Sequence, residues 1–332
     1  MICIGPAAII PCEREMRLTR PFLKLPIQFC GETLAAEVNA LPPSAWVPHP
    51  TGFPGNEAVR LVSVGGRPND AFAGPMKPTE WLSSCRYIQE VMAELNGVWG
   101  RSRLMGLGAG AAVPPHVDVH YHWRTHLRIH IPLITNPMVE FTCDGETIHM
   151  APGECWVFDS FRWHEVHNRG AERRVHLVLD TVVTPHLRDL IDAAGSGAAA
   201  TSYLKPGDRA PGPLQFEQVN APSIMSPWEI RCHLAFVAGE ARPHARLSAV
   251  LKRLDRFADA WASLWALYGD SGAGIDEYRQ LIAVTQKEIQ DMGAGDINLT
   301  NELQLTVVLE QLIFVMAVAN RPRAAANRRL AF

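Results

Sequence analysis

A chain of 332 residues is long for one domain and comfortable for two, and 47% hydrophobic with 20% charged residues is the profile of an ordinary globular protein. The formal net charge of −3 offers no broad basic surface, so neither nucleic acid nor a membrane is expected as a partner. The seven cysteines are scattered and contain no C-x-x-C pair, which argues against a secreted disulfide framework and for a reducing cytoplasm.

In chain order, residues 1–20 read as a flexible leader. The apolar start carries no positive n-region and is broken by Pro6 and Pro11, which makes a poor signal peptide and leaves Met16 as a candidate start beside Met1. A helix is expected from about Thr33 to Leu41, where Pro42-Pro43 ends it, and a buried strand from Ala58 to Val64, stopped by Gly65-Gly66. Apolar residues at helical spacing predict one amphipathic helix over 79–95, with Gly97 placed to cap it. The texture then changes to short strands, expected at 102–107, 116–122, 126–134, 138–143, 154–158 and 174–183, which suggests a sandwich or barrel.

Residues 193–222, rich in Gly, Ala, Ser and Pro, read as a linker or long loop, and residues 223–332 as a helical C-terminal module. Ser226-Pro227-Trp228-Glu229 has the form of a capping box, Leu247 to Tyr268 traces one apolar helical face, and further helices are expected at 275–292 and 301–319. The basic group Arg321, Arg323, Arg328 and Arg329 reads as a solvated tail.

The chemistry concentrates in Pro115-His116-Val117-Asp118-Val119-His120-Tyr121-His122. On a strand, His116 and Asp118 point the same way, and His120 and His122 continue that parity towards a substrate mouth. His164 supplies the best third ligand from another strand. Two histidines and one carboxylate on one face of a metal leave three positions open, as non-heme Fe(II) oxygenases need, whereas a structural zinc site closes its shell with four ligands. Ten residues on, Arg174 begins an apolar strand, where a charge is tolerated only if paired, and Arg128 and His130 share strand parity. A dicarboxylate such as 2-oxoglutarate needs such an arginine fork for the end that does not face the metal.

The run from Arg103 to Asp180 resembles the aspartyl/asparaginyl β-hydroxylase family, near its proline-hydroxylase branch. The stretches that carry the likeness are VPPHVD, RTHLRIHIPL, GECWVFD (153–159), HEVHN (164–168) and RRVHLVLD. The resemblance implies a mainly β core, a double-stranded β-helix or jelly-roll barrel over residues 21–192, flanked by N-terminal helices and the C-terminal helical module. It implies Fe(II) on His116, Asp118 and His164, and 2-oxoglutarate bound by Arg174 with the R-x-H pair Arg128 and His130. O2 is the second cosubstrate, an amino-acid unit of Asp/Asn or Pro type, free or in a peptide, is hydroxylated, and succinate and CO2 are formed. Two departures stand out: the animal enzyme of this family lacks the carboxylate that Asp118 provides, and Met105 stands where that enzyme has a serine for 2-oxoglutarate. Desaturation on the same site, or a non-catalytic β-barrel that binds a ligand or partner, are the competing readings. Halogenation is disfavoured because Asp118 fills the halide position. Oligomeric state stays open, a dimer included.

Overall fold

The computed structural model describes residues 18–197 and 199–319; most of the expected leader, Met16 and the basic C-terminal group lie outside them. The chain divides into two compact units. One runs to Asp118 and from His122 to Asn220; the other comprises Val119–Tyr121 and residues from Ala221 on. No helix among the described residues is long and apolar enough to cross a membrane.

The first unit is built on strands β1 (Phe22–Phe29), β2 (Val47–Pro48), β3 (Asn56–Val64), β4 (Met76–Pro78), β5 (Val98–Leu107), β6 (Ala112–His116), β7 (Leu127–Ile134), β8 (Val139–Cys143), β9 (Glu146–Ile148), β10 (Glu154–Phe158), β11 (His164–Asn168), β12 (Arg174–Val182), β13 (Ser202–Leu204) and β14 (Gln215–Phe216). Helices α1 (Gly31–Asn39), α2 (Glu80–Ser83), α3 (Arg86–Leu95), α4 (Tyr121–Thr125) and α5 (Pro185–Ser196) join them. The large sheet has the order β13-β1-β10-β7-β12-β5-β3-β2, and the small one β6-β11-β8-β9. From β5 to β12 the strands pair first with last: β5 with β12, β6 with β11, β7 with β10 and β8 with β9, all antiparallel. That nested pairing across two sheets is a jelly roll, the fold class expected from the sequence.

Alternation along each strand decides what faces where. On β12, Val175, Leu177 and Leu179 enter a core with Leu104, Ile129 and Ile131 of neighbouring strands and with Leu34, Val38, Ile88, Val91 and Leu187 of α1, α3 and α5. The intervening Arg174, Val178 and Asp180 line a cavity with Val113, Phe141 and Val166 of the small sheet. The large sheet thus has one oily face under helices and one polar face turned inward.

Several expected elements differ. The helix expected over 79–95 is two helices, broken where Ser84 Oγ donates to Glu80 O (3.1 Å) and Trp81 O (3.3 Å). β1 escapes notice in the sequence because Pro26 interrupts its run, and β9 because it is only three residues long. The strand expected over 116–122 stops at His116; residues 117–120 form a loop and His122 sits on α4. Residues 193–222 are not a free linker, since α5 runs into them and β13 and β14 hydrogen-bond in parallel to β1 and β5. Cys30, Cys85, Cys143 and Cys155 are free thiols.

The second unit is helical: α6 (Pro227–Glu240), α7 (Leu247–Tyr268), α8 (Ile275–Asp291) and α9 (Leu305–Leu309), the last continuing as a π-helical turn over Glu310–Phe314 in place of one helix to 319. Ser226 Oγ caps α6 by accepting from Glu229 N at 3.2 Å, with Pro227 at the first helical position. The Glu229 carboxylate accepts from Tyr121 Oη at 2.6 Å. Trp261 is fully buried against Tyr278, ring centroids 4.5 Å apart, and donates its Nε1–H to Met225 O at 2.8 Å, so Phe257 and Trp261 of α7 are core.

Candidate active site

The small sheet brings His116 of β6 and His164 of β11 directly opposite each other, their ring centroids 4.1 Å apart. Asp118 joins them from the loop, not by strand parity: its backbone N–H donates to Ser160 O at 2.9 Å, which pins the chain just past His116. One ligand atom from each of the three residues lies within 4.8 Å of the others.

Each histidine is set in one tautomer. Nδ1 of His116 lies 2.9 Å from Pro114 O and Nδ1 of His164 lies 2.9 Å from Arg162 O. A carbonyl only accepts, so both Nδ1 atoms carry a proton and Nε2 is the ring atom left to bind a metal. Burial pushes His164 down to about 4, with the His116 charge adding and Asp118 opposing, so His164 is neutral near pH 7. Oδ2 of Asp118 is buried without a hydrogen bond. Two imidazole nitrogens and a carboxylate oxygen that makes no hydrogen bond, with Arg128 Nη1 3.5 Å from it, converge at this range and fit an Fe(II) donor set. Phe158 borders His164 at 4.9 Å between ring centroids, which closes the apolar side.

The cations come from the large sheet. Arg174 is 5% exposed. Its Nη2 lies 2.7 Å from His176 Nδ1, while its Nε is buried without a partner. The ion pairs among the described residues include none for it, and burial alone pulls its guanidinium down to about 9. A buried charge is tolerated only if paired, and no carboxylate among the described residues pairs with Arg174. Arg128 behaves otherwise. It grips Asp180 with Nε at 2.9 Å and Nη2 at 3.3 Å, and its Nη1 lies 3.5 Å from Asp118 Oδ2. Burial opposes its charge, but the Asp180 and Asp118 carboxylates outweigh that. His130 is buried with both ring nitrogens unpaired and is held well below its usual range by burial and by the Arg174 and Arg128 charges.

All six sequence-derived site residues, His116, Asp118, Arg128, His130, His164 and Arg174, line one cavity of about 490 Å³, within the usual range of small-molecule sites. His120 and His122, expected towards the substrate mouth, are not among the residues lining the cavity: His122 is buried on α4, stacked on His126 at 3.7 Å and 3.4 Å from Asp180. Trp163, next to His164 in the chain, is exposed. Sequence reasoning missed His49, Asp70, Phe72, Arg101, Arg103 and Asp180, which line the same cavity. The R-x-R spacing at 101 and 103 was the available signal, hidden because the strand was expected to begin at 102 and begins at Val98.

Residues 78–184 match the model of the family described as aspartyl/asparaginyl beta-hydroxylase. A search of curated proteins finds no match. Among solved structures, an oxidoreductase of the 2OG-Fe(II) oxygenase family from Burkholderia pseudomallei is similar at 16% identity, covering 44% of this chain and 76% of its own, with a TM-score of 0.35. A prolyl-4-hydroxylase from Pseudomonas putida is similar at 14% identity, covering 50% of this chain and 95% of its own, with a TM-score of 0.34.

Proposed function

We propose, from the premise that over residues 78–184 this chain is an aspartyl/asparaginyl β-hydroxylase family enzyme, a 2-oxoglutarate-dependent Fe(II) oxygenase, that it hydroxylates an amino-acid unit and releases succinate and CO2. His116, Asp118 and His164 hold Fe(II), and Arg174 holds the carboxylate of 2-oxoglutarate that does not face the metal. The observation that carries this reading is Arg174: a guanidinium sealed in the wall of the donor cavity with no carboxylate of its own. A buried lone charge is costly, and a dianionic cosubstrate resolves it.

Iron bound there supplies the activation of O2 that lets 2-oxoglutarate be oxidised as a C–H bond is hydroxylated. The chain's own groups do the rest. Carbonyl partners fix both imidazoles with Nε2 inward. Arg128, locked by Asp180, orients Asp118. Neutral His130 offers an N–H or a lone pair to the bound cosubstrate. Phe141, Phe158 and Val166 exclude water from the donor side. Every one of these residues belongs to the first unit.

The test is succinate formation from 2-oxoglutarate with Fe(II), O2 and a pool of amino acids and peptides. Turnover that needs iron and vanishes in His164→Ala supports the assignment; a His164→Ala protein that still couples succinate to hydroxylation removes it.

A further inference from the structure

The inner face of the large sheet carries a second cationic pole that the cosubstrate does not use. Arg101 and Arg103 of β5 are 8% and 5% exposed, and both line the cavity. Register places them far from Arg174. Leu107 is opposite Arg174, whereas Arg103 is opposite Val178, four residues further along β12. At ~3.3 Å per residue that is about 13 Å between backbone positions, and Arg101 lies further still.

Both side chains lean away from Arg174, towards the loop after β3. Nη1 of Arg103 is 3.4 Å from Asp70 Oδ1. The guanidinium of Arg101 stacks on Phe72 at 3.8 Å from the ring centroid, with Trp123 at 5.5 Å.

Their charges are not matched. Asp70 is gripped by Arg60 through Nε at 3.1 Å and Nη2 at 2.5 Å. Asp180 is taken by Arg128 in the same two-point way and stands 3.8 Å from Arg101. Nε of Arg101 and Nη1 of Arg103 are buried without a hydrogen bond. Four arginines line the cavity (101, 103, 128 and 174) against three aspartates (70, 118 and 180). The lining histidine His49 is pushed down to about 4, chiefly by burial, and adds no charge near pH 7. An Fe(II) ion and a 2-oxoglutarate dianion cancel, so the loaded site keeps the excess.

We propose that Arg101 and Arg103 form an anion subsite for a carboxylate of the primary substrate, which is therefore a small carboxylic acid such as a free amino acid and not a neutral residue inside a peptide. The inference rests on the oxygenase reading above and names the substrate class of that site. The arginine fork meets a carboxylate at two points, and the Phe72 and Trp123 rings hold the Arg101 plane for it.

The test is calorimetric binding to full-length protein loaded with metal and saturated with 2-oxoglutarate without O2. The probes are matched acid and amide pairs, among them L-proline with L-prolinamide, L-aspartate with L-aspartic diamide, and acetate with acetamide, with inorganic phosphate as a separate anion. At least one acid binds at least 10-fold more tightly than its amide. Arg101→Met and Arg103→Met weaken that acid by about 10- to 100-fold, Arg103→Lys recovers part of the loss, and all three leave 2-oxoglutarate affinity within about twofold. Acids and amides binding alike, no acid binding at all, phosphate alone binding, or a loss of 2-oxoglutarate affinity in the Arg101 and Arg103 variants equal to that in Arg174→Met each overturns the proposal. If the wild type takes up neither metal nor 2-oxoglutarate yet still prefers acids through Arg103, the oxygenase reading falls and the anion subsite stands.

Discussion

On the small sheet, two histidines each give one ring nitrogen to a backbone carbonyl and leave the other to bind a metal, beside a carboxylate oxygen with no hydrogen bond. On the large sheet, arginines outnumber the carboxylates that face them. One wall lacks a cation and the other lacks anions. A cavity whose two walls are deficient in opposite senses is arranged for a metal ion at one side and carboxylates at the other. Neither deficiency contributes to stability; a buried unpaired polar group costs about 1–3 kcal/mol. The large sheet bears that cost because its other face, with Leu104, Ile129, Ile131, Leu177 and Leu179, is fully buried under three helices.

The comparison breaks most completely if the metal wall is emptied. His116→Ala or His164→Ala abolishes iron binding and succinate formation, read by iron titration and by turnover, while the fold survives because each ring's remaining partner is one backbone carbonyl. Next in size is Asp180→Asn. Asp180 is buried and holds Arg128 at two points, so weakening it costs about 3–5 kcal/mol in a urea unfolding series. Arg174→Met follows: 2-oxoglutarate affinity drops by about 10- to 100-fold with metal affinity unchanged, measured by calorimetry without O2. If metal and cosubstrate affinity fall together, the two walls are not separate devices.

The smallest effect is on acid stability. Burial, against the pull of Asp180, lowers His122 from 6.5 to about 3, and burial with the Arg103 and Arg101 charges lowers His49 from 6.5 to about 4. A proton taken up by the unfolded chain and refused by the folded one favours unfolding. The stabilisation from keeping these rings neutral is therefore complete above pH 6.5 and is lost progressively as pH falls towards 4. Urea midpoints should decline over that window, and His122→Asn should flatten the decline.

Much of this was legible in the chain. The run of short strands suggested a sandwich or barrel, the family resemblance implied the jelly roll, and the H-x-D pair, His164 and Arg174 all line one cavity. What the sequence hid has physical causes. Strand parity put His116 and Asp118 on one face for the wrong reason: β6 ends at His116, and a hydrogen bond from Asp118 N to Ser160 O, between residues 42 positions apart in the chain, does the placing. β11 reads HEVHN, too polar for a strand pattern, because His164 faces the site, Asn168 donates to the backbone carbonyls of Leu107, Gly108 and Glu172, and Glu165 pairs with His167. Arg101 and Arg103 look like surface residues until β3 and β12 flank them and bury them.

The central claim is that one cavity joins three metal donors to a 2-oxoglutarate carboxylate on Arg174. It is tested most directly by succinate release from iron-loaded wild type, His164→Ala and Arg174→Met, each across a range of 2-oxoglutarate concentrations. The account predicts turnover in the wild type, none in His164→Ala at any concentration, and activity in Arg174→Met recovered only at raised 2-oxoglutarate. Iron-loaded wild type that neither binds nor consumes 2-oxoglutarate, or an Arg174→Met protein with an unchanged concentration dependence, would contradict it.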